Sequence, residues 1–167
     1  RGLKESEMGI FDMRVQLGLV LWSFFAAAVF AADPLFETLH DHDKGRKFNA
    51  IVLRQSDGKY ILATESGISA RPEGRIQRYG TFSGETNRLN DLLGSIESWI
   101  KRSRFPQALE KLPLLDKALS DFDSLAKLKI RSSATSENFR KSLKLAQAYY
   151  KTQRESIRPT IRTLELS

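Results

Sequence analysis

The chain of 167 residues contains no cysteine. That excludes structural disulfides, thiolate metal sites and a cysteine nucleophile. Histidine is nearly absent, and its only two copies fall in His40-Asp41-His42-Asp43. This is the one place where ligand-type side chains cluster, so His40 and His42 are the candidate metal pair. No third ligand stands at a set spacing from them, and a solvated polar linker is the plainer reading. No Gly-rich phosphate loop follows a strand, and no Ser/His/Asp order or paired-carboxylate signature stands out. No enzymatic activity is therefore expected, and no cofactor is assigned.

What is present begins with an apolar run, Val15 to Ala32, 18 residues without a charge. As a helix rising about 1.5 Å per residue it would be roughly 27 Å long, close to the thickness of a bilayer's hydrocarbon core. A helix is the form that satisfies backbone amides in lipid, so a single membrane-spanning helix is expected over 15–32. Leu17, Leu19, Leu21, Trp22, Phe24, Phe25 and Phe30 would be its membrane-facing or neighbour-facing side chains. The same run can be read as a secretory signal, with Val29-Phe30-Ala31 as a small-x-small cleavage site and Ala32 as the mature start. Its length exceeds the usual 7–15 residue signal core, which favours a retained anchor.

Charge sets the orientation. Arg1, Lys4 and Arg14 precede the run, whereas residues 33–43 carry Asp33, Glu37, Asp41 and Asp43 and no Lys or Arg. The positive-inside tendency then leaves the N-terminus on the cytoplasmic or stromal side and translocates residues 33–167. The formal net charge of +7 is uneven. Residues 1–43 hold 3 basic and 7 acidic groups, and residues 44–167 hold 24 and 13, a net +11. A basic extracytoplasmic domain suits acidic protein faces or anionic lipid, and nucleic acid is not an expected partner in that compartment.

Along the chain, residues 1–14 form an amphipathic lead, 15–32 the spanning helix and 33–47 a polar tether. Phe48–Gln55 and Tyr60–Glu65, rich in Ile, Val, Leu and Tyr, read as two strands around Ser56-Asp57-Gly58-Lys59, whose Asp-Gly suits a tight hairpin turn. Residues 66–84 are punctuated by Gly67, Gly74, Gly80, Gly84 and Pro72 and show neither helical nor strand period, so a basic loop is expected to complete the 48–84 segment. Its Arg71, Arg75 and Arg78, interleaved with Ile76, Tyr79 and Phe82, make it a candidate docking arm.

Over residues 85–157 the period becomes 3.6. Leu89, Leu92, Leu93, Ile96, Trp99 and Ile100 share one face, and the first helix should end near Ser103. Pro106 can open a second helix, which Pro113 should bend or restart. Leu112, Leu115, Leu119, Phe122 and Ala126 form its seam. After the polar break Arg131–Ser136, a third helix carries Phe139, Leu143, Ala146, Tyr150 and Ile157 and should stop at Arg158-Pro159. Residues 158–167 are left as a tail. The expected fold is mainly α: one transmembrane helix, a short β-hairpin and an antiparallel three-helix bundle, or a four-helix-like one.

Trp99-Ile100-Lys101-Arg102-Ser103-Arg104-Phe105-Pro106, followed by Leu112 and Leu119, resembles the helix-to-helix junction of PsbQ-type proteins. The likeness covers about residues 85–157. Two features depart from that family: it has four helices in its bundle, and its typical members are extrinsic. The resemblance implies a non-catalytic protein on the lumenal face of a photosystem in the thylakoid membrane, where pigment or lipid contact would come through the complex.

The expected function is thus a single-pass accessory subunit of a large membrane complex, with other subunits and the bilayer as partners. The alternatives are a membrane-tethered binding module with an apolar groove on its bundle, and a secreted helical protein whose signal is removed. Partner contacts are expected from Arg71, Arg75 and Arg78 together with Lys101, Arg102 and Arg104, because a guanidinium fork binds carboxylates bidentately. Charge reversal at Arg75 and Arg78 is expected to weaken docking in a salt-dependent way without affecting insertion, which reconstitution at low and high salt measures.

Overall fold

The computed structural model describes residues 33, 35–79 and 84–166. The chain divides into two units, Arg1–Asp33 and Pro34–Ser167, and the expected spanning helix over 15–32 lies outside the described residues. Among the described residues no helix is long and apolar enough to cross a membrane.

The second unit begins with β1 (Glu37–Asp41), β2 (Arg46–Ser56), β3 (Lys59–Thr64), β4 (Gly67–Pro72) and, after one 3₁₀ turn at Glu73–Arg75, β5 (Ile76–Arg78). They form one antiparallel sheet in the order β4-β3-β2-β1-β5. The expected hairpin is therefore two strands of five, and the other three strands come from the expected tether and basic loop. The reason is that β1, β4 and β5 are short and polar on one side. Pairing with the apolar β2–β3 core organises them more than any period of their own.

The sheet is strongly curled. β4 and β5 occupy opposite edges, which in a flat sheet would lie about 19 Å apart at roughly 4.8 Å per strand. Three residues of 3₁₀ turn, rising about 2 Å each, cannot span that distance. The turn instead joins the end of β4 to the start of β5 at one end of the sheet, where it is held to the β2–β3 and β1–β2 turns, and the rest of the far β4 edge stays unpaired among the described residues. Glu73 N–H donates to Gly58 C=O at 2.9 Å, and His42 N–H to Arg75 C=O at 2.9 Å. Inside the curl, Leu39, Ala50, Val52, Leu62 and Ile76 make a small core, with Phe48 and Tyr60 at its margin. Asp57 and Gly58 supply the positive φ, +52° and +70°, that the tight β2–β3 turn requires.

β2 is buried on both faces. Ala50 and Val52 point into the curl, while Ile51 and Leu53 join the larger core under the helices. A bulge falls at Leu53, since Val52 pairs with Leu62 and Arg54 with Ile61. The extra residue turns Leu53 and then Arg54 towards the helices, and its carbonyl accepts a buried hydrogen bond from the Tyr150 hydroxyl at 2.8 Å.

Four helices follow: α1 (Gly84–Lys101), α2 (Phe105–Glu110), α3 (Leu112–Arg131) and α4 (Glu137–Glu165). Pro106 and Pro113 stand in the first turns of α2 and α3, where the missing amide donor costs nothing. Ser136 caps α4 by accepting from Phe139 N–H at 3.3 Å. α1 packs on α3, α2 and β2, and α4 on α3, β3 and β2, rather than on each other. The helices are therefore a layer closed by the sheet, not a free-standing bundle. Leu89, Leu93 and Ile96 of α1, Leu115 and Phe122 of α3, and Leu143 and Tyr150 of α4 fill the space between. Phe122 and Tyr150 meet edge to face at 5.2 Å.

The expected stop at Arg158-Pro159 is overridden, and α4 runs through Pro159 to Glu165. Ile161, 3% exposed, packs beyond the proline, and its burial offsets the lost backbone bond. The expected C-terminal tail is thus mostly helix.

Tyr150→Phe should cost about 1–3 kcal/mol, because it leaves the Leu53 carbonyl buried without a partner while preserving the ring. Urea unfolding of the two proteins measures this, and an unchanged midpoint would show the hydroxyl to be dispensable.

Candidate interaction surfaces

The charged side chains divide into those consumed by the fold and those left facing outward. Arg54 of β2 forms a bidentate pair with Glu97 of α1. Its Nη1 donates to Oε1 at 2.6 Å and its Nη2 to Oε2. Glu97 holds the Arg54 guanidinium above its ordinary pKa against the opposing effect of burial. Burial pushes the Tyr149 hydroxyl up as well, an effect that neighbouring Arg54 partly offsets. Tyr150, more deeply enclosed, is raised by desolvation first and by Tyr149 second. These phenols stay neutral over the whole physiological range, which suits a packing and hydrogen-bonding role.

Arg78, expected as a docking residue, is built into the sheet. Its Nε donates to Glu37 Oε2 at 2.7 Å, and its Nη2 reaches Oε1. The two side chains are only 10% and 9% exposed, and the guanidinium lies 6.0 Å from the Tyr60 ring. Arg75 pairs with Asp43 at 2.8 Å in an exposed setting. Of the three, Arg71 alone has no ion pair among the described residues, and its position on β4 is half-buried. The expected docking arm is thus separated. Arg78 is structural, Arg75 ties the 3₁₀ turn to the β1–β2 turn, and Arg71 lines a cleft.

That cleft has a volume of about 670 Å³ and lies between the start of β2 and the β3–β4 hairpin. Arg46, Lys47, Phe48 and Asn49 contribute from β2, and Glu65, Ile68, Ser69 and Arg71 from the hairpin. Its lining mixes these polar and basic side chains with Phe36, Phe48 and Ile68.

Lys101, Arg102 and Arg104 come together at the α1–α2 junction, all exposed. The Arg102 and Arg104 guanidiniums lie 5.9 and 5.8 Å from the centre of the Trp99 ring. At that distance both cations are within cation–π range of one half-buried indole, a contact that leaves their N–H donors free. A polar hollow of about 580 Å³ adjoins them, lined by Asn90, Asp91, Ser98, Lys101 and Arg102 among others.

His40 and His42 sit at the end of β1 and in the following turn, ring centres 5.0 Å apart. No group of three or more ligand side chains that could hold a metal occurs among the described residues. The α3 carboxylates, largely solvent-exposed, are engaged from both neighbours. Arg88 of α1 reaches Asp121 at 3.4 Å, Gln147 of α4 reaches Asp123 at 3.0 Å, and Arg154 clasps Asp116 at 2.6 and 3.0 Å.

Comparison of the chain with protein-family models, with curated proteins and with solved structures finds no match.

Two outcomes follow from these pairs. Reversal of Arg78 to Glu should unfold the sheet rather than weaken docking, because breaking a buried pair costs about 3–5 kcal/mol and two carboxylates would then face each other. A thermal melt tests this, and a wild-type Tm would refute it. Arg154 holds the Asp116 carboxyl below its ordinary range, so this pair's stability is present at neutral pH. It disappears as pH falls through the lowered pKa. Asp116 is half exposed, which limits the contribution to at most about 1 kcal/mol after screening. Asp116→Asn should therefore lower stability at pH 7 and converge with wild type in acid, as pH-dependent denaturation would show.

Proposed function

We propose that the folded unit is a non-catalytic interaction domain of a membrane-anchored accessory subunit. Residues 15–32 hold it in the bilayer, and the α1–α2 junction docks it against an acidic face of a larger assembly outside the cytoplasm. The observation that carries this reading is Trp99 with the Arg102 and Arg104 guanidiniums within cation–π range of its ring, beside exposed Lys101. These are preorganised guanidiniums on a domain whose residues 44–167 carry a net +11. The indole holds the forks in place, so less side-chain freedom is lost on binding. The photosystem form of the proposal rests on the resemblance of Trp99–Pro106 to PsbQ-type proteins and places the domain in the thylakoid lumen.

A second reading has its own support. Leu35, 3% exposed and part of the core, stands three residues after Ala32, so removal of residues 1–31 as a signal would leave the described core whole. That reading makes the same domain a secreted interaction module.

Extraction in mild detergent followed by native electrophoresis tests the first reading. Migration with a large assembly is expected, with release by Arg102→Glu/Arg104→Glu as salt rises. Migration as a free monomer contradicts it. Mass analysis of the native N-terminus separates the two readings, since a start at Ala32 removes the anchor and establishes the secreted form.

A further inference from the structure

We infer that the cleft between β2 and the β3–β4 hairpin receives an extended acidic segment of a partner protein, added as a strand to the open edge of β4. This surface is separate from the α1–α2 junction, and the inference stands whether or not that junction docks.

The backbone supplies the first argument. Among the described residues β4 pairs only with β3, so its far side is an unpaired edge. Thr64 and Gly67 flank the two-residue turn Glu65-Ser66 and so form a hydrogen-bonded pair. The alternation of an antiparallel ladder then gives Leu62–Ser69 and Tyr60–Arg71 the same character. Ile68 and Ala70 therefore turn their N–H and C=O groups away from β3, where an incoming strand would meet them. Ile68 is 43% exposed, an apolar contact for one side chain of such a strand, and Pro72 closes the edge because it has no donor.

Charge supplies the second argument and selects the occupant. Arg46, Lys47 and Arg71 converge on the cleft, and none of them has an ion pair among the described residues. The opposing carboxylates are Asp41 and Glu65. Asp41 is 5% exposed, and its Oδ1 already accepts from the Asp43 and Lys44 N–H groups at 3.1 and 3.2 Å. Arg46 and Arg71, with Lys47 whose ammonium lies 5.8 Å from the centre of the Tyr79 ring, face one free carboxylate beside a strand edge and so complement a segment in which acidic residues alternate with apolar ones. The backbone would give affinity, and the alternate carboxylates would give register.

The test uses the full chain in neutral detergent micelles and a fluorescein-labelled peptide of about eight residues alternating Glu and Val, a length that matches a typical strand. Fluorescence anisotropy at about 50 mM salt, where screening is modest, reads the affinity. Binding is expected to weaken about ten-fold or more in Arg46→Glu/Arg71→Glu. A circular-dichroism melt confirms that this variant is folded, and Lys47→Glu serves as the substitute if it is not. The same peptide N-methylated at every backbone amide should lose binding to the wild-type chain, because it keeps every charge but has no N–H donor left on either edge. Equal affinity for the charge-reversed variant, equal affinity of the N-methylated peptide, or no binding at all would each overturn the inference. Sedimentation showing a dimer of this chain that the peptide does not dissociate would assign the edge to a second copy instead, and would overturn it too.

Discussion

The structure depends on β2 being enclosed from both sides. A strand with one solvated face needs only alternate apolar residues, but Ala50 to Arg54 are buried without a break. Ala50 and Val52 complete the inside of the curled sheet, and Ile51 and Leu53 form the floor of the helical layer. The bulge at Leu53 permits this, because it turns two consecutive side chains towards the helices and releases a carbonyl that the ladder cannot use. Tyr150 reaches that carbonyl from α4, and Glu97 reaches Arg54 from α1. Sheet and helices are thereby joined by a hydrogen bond and an ion pair placed one residue apart on β2.

This arrangement explains why some basic groups are spent and others are available. Arg54, Arg78 and Arg154 each hold two elements together through a carboxylate that accepts from two of the guanidinium nitrogens. Arg46, Lys47 and Arg71 gather at the cleft, and Lys101, Arg102 and Arg104 at the end of α1. Both groups sit at the margins of rigid elements. These six basic groups are therefore presented at two places whose geometry the core maintains.

Much of this was legible locally. The β2–β3 hairpin could be read from Asp57-Gly58 between two apolar runs, because a type of turn is specified by neighbouring residues. The helices could be read from Leu89–Ile96, Leu112–Phe122 and Phe139–Tyr150, since their periods are carried on one face. β1, β4 and β5 were not legible, because strands of three to six residues take their alternation from the partner they pair with. Pro159 misled for a related reason: the local rule was outweighed by Ile161, whose burial is a tertiary fact. At the surfaces, Lys101, Arg102 and Arg104 are contiguous enough to be seen in the sequence, whereas the cleft joins Arg46 to Arg71 through a curl that no local pattern encodes. Arg78 looked like a loop cation until the sheet placed Glu37, 41 positions away, beside it.

The most direct test of this account is native-state hydrogen exchange on the full chain in detergent micelles. If β2 is the shared wall of both cores, the amides of Ala50 to Arg54 and those of Leu143 to Tyr150 in α4 should exchange only through one common opening, with the same free energy and the same denaturant dependence. Exchange of the α4 amides through a lower-energy opening that leaves β2 protected would contradict it, and would mean that the sheet stands without its helical layer.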